Sequence, residues 1–189
     1  MERINREKIF FVILAGVMII GVIIGAVYMA LSDADDGIYS YLTGFLEGFD
    51  KNCFEIFKNS LTDNLKLLFF TAMCGFFKAG VAGVFCGVGI KGFITGFTVS
   101  SFIRYYGMRG IMIPLSTALP NLIFIPALLI FAAYSASFSL QRKNKENMGR
   151  FLIICLVFMI VFCIVSFLDG YLTTIFVKLV KSFVVNSAI

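Results

Sequence analysis

Histidine and tryptophan are absent from this chain, charged residues make up only 14% of it, and its 3 prolines, Pro114, Pro120 and Pro126, fall in one short stretch. Without histidine, the usual general base and the commonest metal ligand are both missing. Of the 5 cysteines, Cys74, Cys86, Cys155 and Cys163 lie in apolar runs, where a thiol behaves as a small hydrophobe. Cys53 sits in a polar segment, and no CxxC spacing occurs, so no disulfide framework is implied. A soluble domain carries about a quarter charged residues, so the scarcity of charge excludes that class. No cofactor and no metal are expected.

What is present is apolar: 60% of the 189 residues are hydrophobic and 16% aromatic. The first apolar run, Ile9 to Leu31, follows Arg3, Arg6 and Lys8 and ends at Asp33, Asp35 and Asp36. At about 1.5 Å per residue, a helix of that length crosses a hydrocarbon core of roughly 30 Å. It is too long for the core of a cleaved signal peptide and reads as a retained anchor. Further runs fill Leu67 to Ile90, Ile111 to Leu140 and Phe151 to Leu168. The net charge of +5 lies between these runs, where it is a topology signal and not the mark of a nucleic-acid partner.

Positive residues flanking spans stay on the cytoplasmic side, which assigns both the N-terminus and the cluster Arg142, Lys143, Lys145 and Arg150 to that face. Between them the chain must cross an even number of times. The expected fold is therefore an all-α polytopic helical bundle of about five transmembrane helices, one integral membrane domain over 1–189. Its parts are a first span at 9–31, an external amphipathic segment at 32–64, three central spans at 65–140, a cytoplasmic loop at 141–150 and a last span at 151–177. The N-terminus is then cytoplasmic and the C-terminus external.

The external segment holds seven acidic residues against Lys51 and Lys58, and its apolar residues, among them Phe45, Phe49 and Phe57, recur at helical steps. Such a stripe seats in the membrane interface, packs on the ends of the bundle, or docks an extracytoplasmic partner. Only twelve residues separate Lys91 from Arg104, too few to cross, so an irregular centre is expected there, buried in the bundle. The three prolines read first as kinks. Small residues at four-residue steps, Gly75, Ala79, Gly83 and Gly87 in the second span, Gly92, Gly96 and Ser100 in the third, Gly21 and Gly25 in the first, leave helix faces bare for close packing within the subunit or in a homo-oligomer. Lys78 reads as a buried charge in the middle of the second span, with Asp169 a carboxylate near the end of the last.

Taken together, Asn64, the glycine-spaced helix Gly75 to Gly89, the Lys91-Gly92-Phe93-Ile94-Thr95-Gly96 stretch and the Leu119-Pro120 to Pro126-Ala127 pattern resemble the stage II sporulation protein M family. The closing Asp169-Gly170-Tyr171-Leu172 also resembles that family's ending of its last span. Two positions differ from the family pattern: Lys91 stands where asparagine is frequent, and Asn121 where histidine is common. The resemblance implies a membrane scaffold of endospore-forming bacteria, acting in forespore engulfment at the sporulation septum and engulfing mother-cell membrane. It also implies an anchor for two peptidoglycan hydrolases, stage II sporulation proteins D and P.

The residues themselves fit a scaffold in outline. An intramembrane aspartyl protease needs a second membrane carboxylate, a serine protease a basic partner, and a zinc protease histidines, so no enzyme is expected. The alternative is a small-solute transporter or permease subunit, which Lys78, Arg104 and interrupted central helices would suit.

Overall fold

The computed structural model describes residues 2–32, 37–38, 40, 42–44, 53–107, 111–140 and 145–175. Among these the secondary structure is helical, without a strand. The long helices are α1 (Glu2–Leu31), α2 (Cys53–Phe76), α3 (Gly80–Tyr106), α4 (Met112–Ser139) and α5 (Lys145–Leu168), and α5 runs directly into a π-helical turn, Asp169–Thr173. Four stretches are long and apolar enough to cross a membrane: Arg6–Leu31, Gly80–Tyr106, Pro120–Ser139 and Glu146–Thr173. The remaining long helix, α2, carries Glu55, Lys58, Asp63 and Lys66 in its first half and is apolar only from Leu67 onward.

Side-chain contacts fix how the helices run. On α1 and α3, Met18 meets Gly92, Val22 meets Gly96, and Ser100 Oγ donates to the Ala26 carbonyl at 3.3 Å, so the two helices are parallel. On α4 and α2, Ser135 Oγ donates to the Thr71 carbonyl at 2.6 Å, and Ser139 donates to the Phe77 carbonyl. On α5 and α2, Phe151 lies beside Gly75 while Gly170 lies against Phe57, an antiparallel pair. One end of the bundle thus gathers the start of α1, the α2–α3 turn, the end of α4 and the start of α5. Arg6, Lys8, Lys78 and Arg150 all stand at that end, and each is exposed.

The core is continuous along α4. Two thirds of its Pro120–Ser139 stretch, 67%, is buried, against 22% of the α1 and α5 stretches, so α4 is the central helix and the other two turn broad faces outward. Leu14, Met18, Val84, Val88, Leu129 and Ala132 fill one side of α4, and Leu68, Phe124, Leu128, Phe131, Phe162 and Val165 the other. At the basic end, the Phe138 and Phe151 rings stack at 4.2 Å between centroids, with Phe76 edge-on to both. Ile, Val and Leu side chains such as Ile19, Ile23, Ile153 and Ile160 remain exposed on α1 and α5, the surface that hydrocarbon would cover.

The structure corrects the expected centre in three respects. First, the run Leu67 to Ile90 is not one span: the chain turns at Phe77–Ala79, closed by Phe77 N–H to the Cys74 carbonyl at 3.2 Å and Gly80 N–H to the Phe77 carbonyl at 3.0 Å. Gly80 permits this, since a side chain there would run into the Cys74 carbonyl. Second, Lys78 is exposed in that turn and is no buried charge, and Ala79 beside it is exposed and lies on no helix face. Third, no short or broken segment lies between Lys91 and Arg104, because α3 runs unbroken from Gly80 to Tyr106 and Lys91 sits inside the bundle along it. The boundary between the external segment and the central spans also moves, because α2 takes Cys53 to Asn64 into the same helix as Leu65 to Phe76.

Pro120 and Pro126 lie within α4, where neither nitrogen can donate to the preceding turn. At the end of α3, Arg104 reaches across the seam and donates to the Met29 carbonyl at 2.6 Å and to that of Ser32, closing the last turn of α1. Gly107, with φ 65°, then takes the chain out of the helix in a conformation that glycine adopts without strain.

Candidate functional site

A part-buried polar cluster joins α2 to α5 and the π turn. From α2, Ser60 Oγ donates to Asp169 Oδ2 at 2.7 Å, and Asn64 Nδ2 donates to Ser166 Oγ at 2.9 Å and more weakly to Ser60 Oγ at 3.4 Å. From the π turn, Thr173 Oγ1 donates to Asp169 Oδ1 at 3.0 Å, so both carboxylate oxygens accept a hydroxyl. Ser166 in turn donates to the Phe162 carbonyl at 2.8 Å. Hydroxyls and amides satisfied in this manner are how membrane helices carry polar groups past lipid.

The π turn is what aims Asp169 into this network. Single π turns widen a helix locally and recur at functional positions. Here Gly170 lets the turn approach α2, because its Cα stands where a Cβ would lie 2.7 Å from Phe57 Cβ. Phe57 accordingly packs on Gly170 and against the Phe167 ring, 6.2 Å between centroids. It is half-buried by its own subunit, so its availability as a docking residue is limited to its outer edge. Phe45 and Phe49, the other two candidates for docking, lie outside the described residues. Elsewhere in the same segment Leu42 is buried against Phe102 at the end of α3, with Ile38, Tyr105 and Tyr106 around them.

Beside the polar cluster lies a cavity of about 450 Å³, lined on α3 by Lys91, Ile94, Thr95, Thr98 and Val99 and on α4 by Pro114, Pro120, Asn121, Leu122, Phe124 and Ile125. Asn64, Val165 and Asp169 complete the wall. The Lys91 ammonium stands over the Phe124 ring, 5.0 Å from its centroid, a cation–π contact worth roughly 0.5 to 2 kcal/mol according to its desolvation. Lys91 and Asn121 thus line one cavity.

The remaining sequence candidates are distributed over several seams. Gly92 and Gly96 face α1, where a Cβ on Gly92 would lie 2.5 Å from the Met18 carbonyl oxygen and one on Gly96 would overlap that of Val22. Gly21 and Gly25 answer from α1 against Gly89 and Phe93. Gly83 and Gly87 face α2 instead, toward Cys74 and Phe70, and Gly75 faces Ser135 and Phe151. Pro120 is buried, Pro126 exposed and Ala127 half-buried, while the side chain of Leu119 is not among those described. Local spacing places Lys91 at a span boundary and so hides it as a site residue, whereas Asn64 and Ser60, one turn apart on α2, carry the signal of an inward polar stripe.

Among the described residues, no group of three or more His, Cys, Asp or Glu side chains gathers in a way that would hold a metal ion. No curated protein and no solved structure matches the chain. A family model does: stage II sporulation protein M, over residues 13–174, from within α1 to just past the π turn. The multi-pass bundle and that match agree along nearly the whole described chain, and the protein belongs to the stage II sporulation protein M family, a sporulation-related membrane protein.

Proposed function

We propose that this protein is a non-enzymatic membrane scaffold that anchors and localises peptidoglycan-degrading enzymes, stage II sporulation proteins D and P, during forespore engulfment. The observation that carries the reading is the family match over residues 13–174. Its location is the cell membrane, at the sporulation septum and the engulfing mother-cell membrane, with the N-terminus cytoplasmic and the C-terminus external. The gathering of Arg6, Lys8, Lys78 and Arg150 at one end of the bundle supports that orientation, since basic residues are retained inside. The opposite end, with Leu42 seated on Phe102 and the π turn on Phe57, is then the face presented to the hydrolases.

The test is affinity purification in detergent from sporulating cells, with mass spectrometry of what co-purifies. Recovery of the two hydrolases at levels far above a control membrane protein is the expected result. Their absence, with a nucleotide-binding subunit recovered instead, contradicts the scaffold and favours a permease.

A further inference from the structure

The cavity holds a cation and a carboxylate that do not touch. The ion pairs among the described residues join Lys66 to Asp63 and Arg150 to Glu146, both at exposed positions, and none joins Lys91 to Asp169. Asp169 is already held by two hydroxyls, whereas the Lys91 ammonium has the Phe124 ring on one side and, among the described residues, no hydrogen-bond acceptor. The hydroxyls nearest it on α3 do not act as donors toward the cavity: Thr95 donates to the Lys91 carbonyl at 2.9 Å and Thr98 to the Ile94 carbonyl at 2.8 Å. Both keep oxygen lone pairs. Asn64 directs its amide N–H groups to Ser166 and Ser60, which leaves its carbonyl oxygen as an acceptor.

The wall therefore offers one concentrated donor, the three N–H bonds of Lys91, facing several acceptors. Lys91 and Asp169 together carry no net charge. A lone anion on Lys91 would leave the low-dielectric interior negative, and a lone cation beside Asp169 would leave it positive, each opposed by desolvation. An apolar guest would leave the ammonium without an acceptor. A molecule with both an oxyanion and an ammonium satisfies the two ends and keeps the interior neutral.

We propose that the cavity between α3 and α4 binds a zwitterion, its oxyanion on the Lys91 ammonium and its own ammonium toward Asp169, Thr95 and the Asn64 carbonyl. About 450 Å³ lies within the range of small-molecule sites and admits such a group with Ile94, Leu122 and Val165 against its apolar part. A free α-amino acid and the headgroup of phosphatidylethanolamine share this chemistry. The inference does not rest on the scaffold reading, and its test leaves hydrolase binding untouched.

The full chain in phosphatidylglycerol nanodiscs is offered radiolabelled L-alanine and L-leucine, and in a second arm the chain from mixed phosphatidylglycerol and phosphatidylethanolamine bilayers is weighed by native mass spectrometry. Saturable binding of either amino acid assigns a free solute, and selective retention of phosphatidylethanolamine assigns the lipid; either supports the site if Lys91→Gln weakens it at least tenfold. Because Lys91→Gln also changes a packed residue, Thr95→Val, which keeps the shape and removes one acceptor, is measured beside it. It is expected to weaken the same ligand severalfold at unchanged thermal stability. Acetate and methylamine, each carrying one half of the charge pattern, are expected not to compete. No Lys91-dependent binding of any of the three probes overturns the proposal, as does competition by acetate equal to that of the amino acids.

Discussion

Gly96 and Gly83 look alike in sequence, yet their surroundings set different costs for one added methyl group. A Cβ on Gly96 meets the backbone carbonyl of Val22, which moves only with the whole of α1. On Gly83 it meets the Cys74 side chain, 2.6 Å from Sγ, which rotates away. Gly96→Ala is expected to lower stability by about 1 to 3 kcal/mol, and Gly83→Ala by distinctly less, read as the midpoint of thermal denaturation in detergent. Equal losses would show that the α1–α3 seam is no tighter than the α2–α3 seam. Asp169 gives a second contrast. Asp169→Ala leaves the Ser60 and Thr173 hydroxyls without their acceptor, a loss of roughly 1 to 3 kcal/mol, while Asp169→Asn keeps an acceptor oxygen and is expected to lose less. Denaturation midpoints in the order wild type, Asn, Ala are the expected result.

At the scale of elements, the two lysines of the apolar centre show what sequence can and cannot give. Lys78 and Lys91 each interrupt an apolar stretch, and pattern alone reads the first as a buried charge and the second as the limit of a segment too short to cross. Gly80 resolves the first by letting the chain turn sharply, so that Lys78 leaves the bundle. A ring on another helix, Phe124, resolves the second and keeps Lys91 inside. Neither solution is visible in local spacing, because one depends on a backbone contact and the other on a residue thirty-three positions away. The apolar extents of α1 and α5 and the four-residue glycine steps were legible, since both are properties of single helices. Which glycine faces which helix was not, because Met18 and Gly92 are brought together only by the parallel run of α1 and α3. The inward polar edge of α2 is half legible, because Asn64 stands out in the motif while its partner Ser166, 102 positions on, does not.

The turn also yields a topology test. With Lys78 at the same end as Arg6 and Arg150, a cysteine introduced by Lys78→Cys in a background lacking the native thiols is expected to react with a membrane-impermeant maleimide only after permeabilisation. Cys53, at the start of α2 and the other end of the bundle, is expected to react in intact cells when restored alone. Labelling of position 78 from outside would invert the orientation.

For the whole molecule, what distinguishes this bundle is the contrast between its two ends and its sides. The sides are aliphatic and fit lipid, one end is basic, and the other carries the π turn, the Arg104 clasp on α1 and the platform around Phe102. On the proposed scaffold reading, such a body would hold a fixed position in the membrane and present its second end to extracytoplasmic enzymes. The direct measurement is binding between purified components: the full chain in nanodiscs against each of the two hydrolases, stage II sporulation proteins D and P, with empty nanodiscs as the reference. Saturable association of at least one hydrolase, with a dissociation constant in the micromolar range or tighter, is the result the scaffold account predicts. Binding no stronger than to empty nanodiscs for both hydrolases, alone and together, would contradict it.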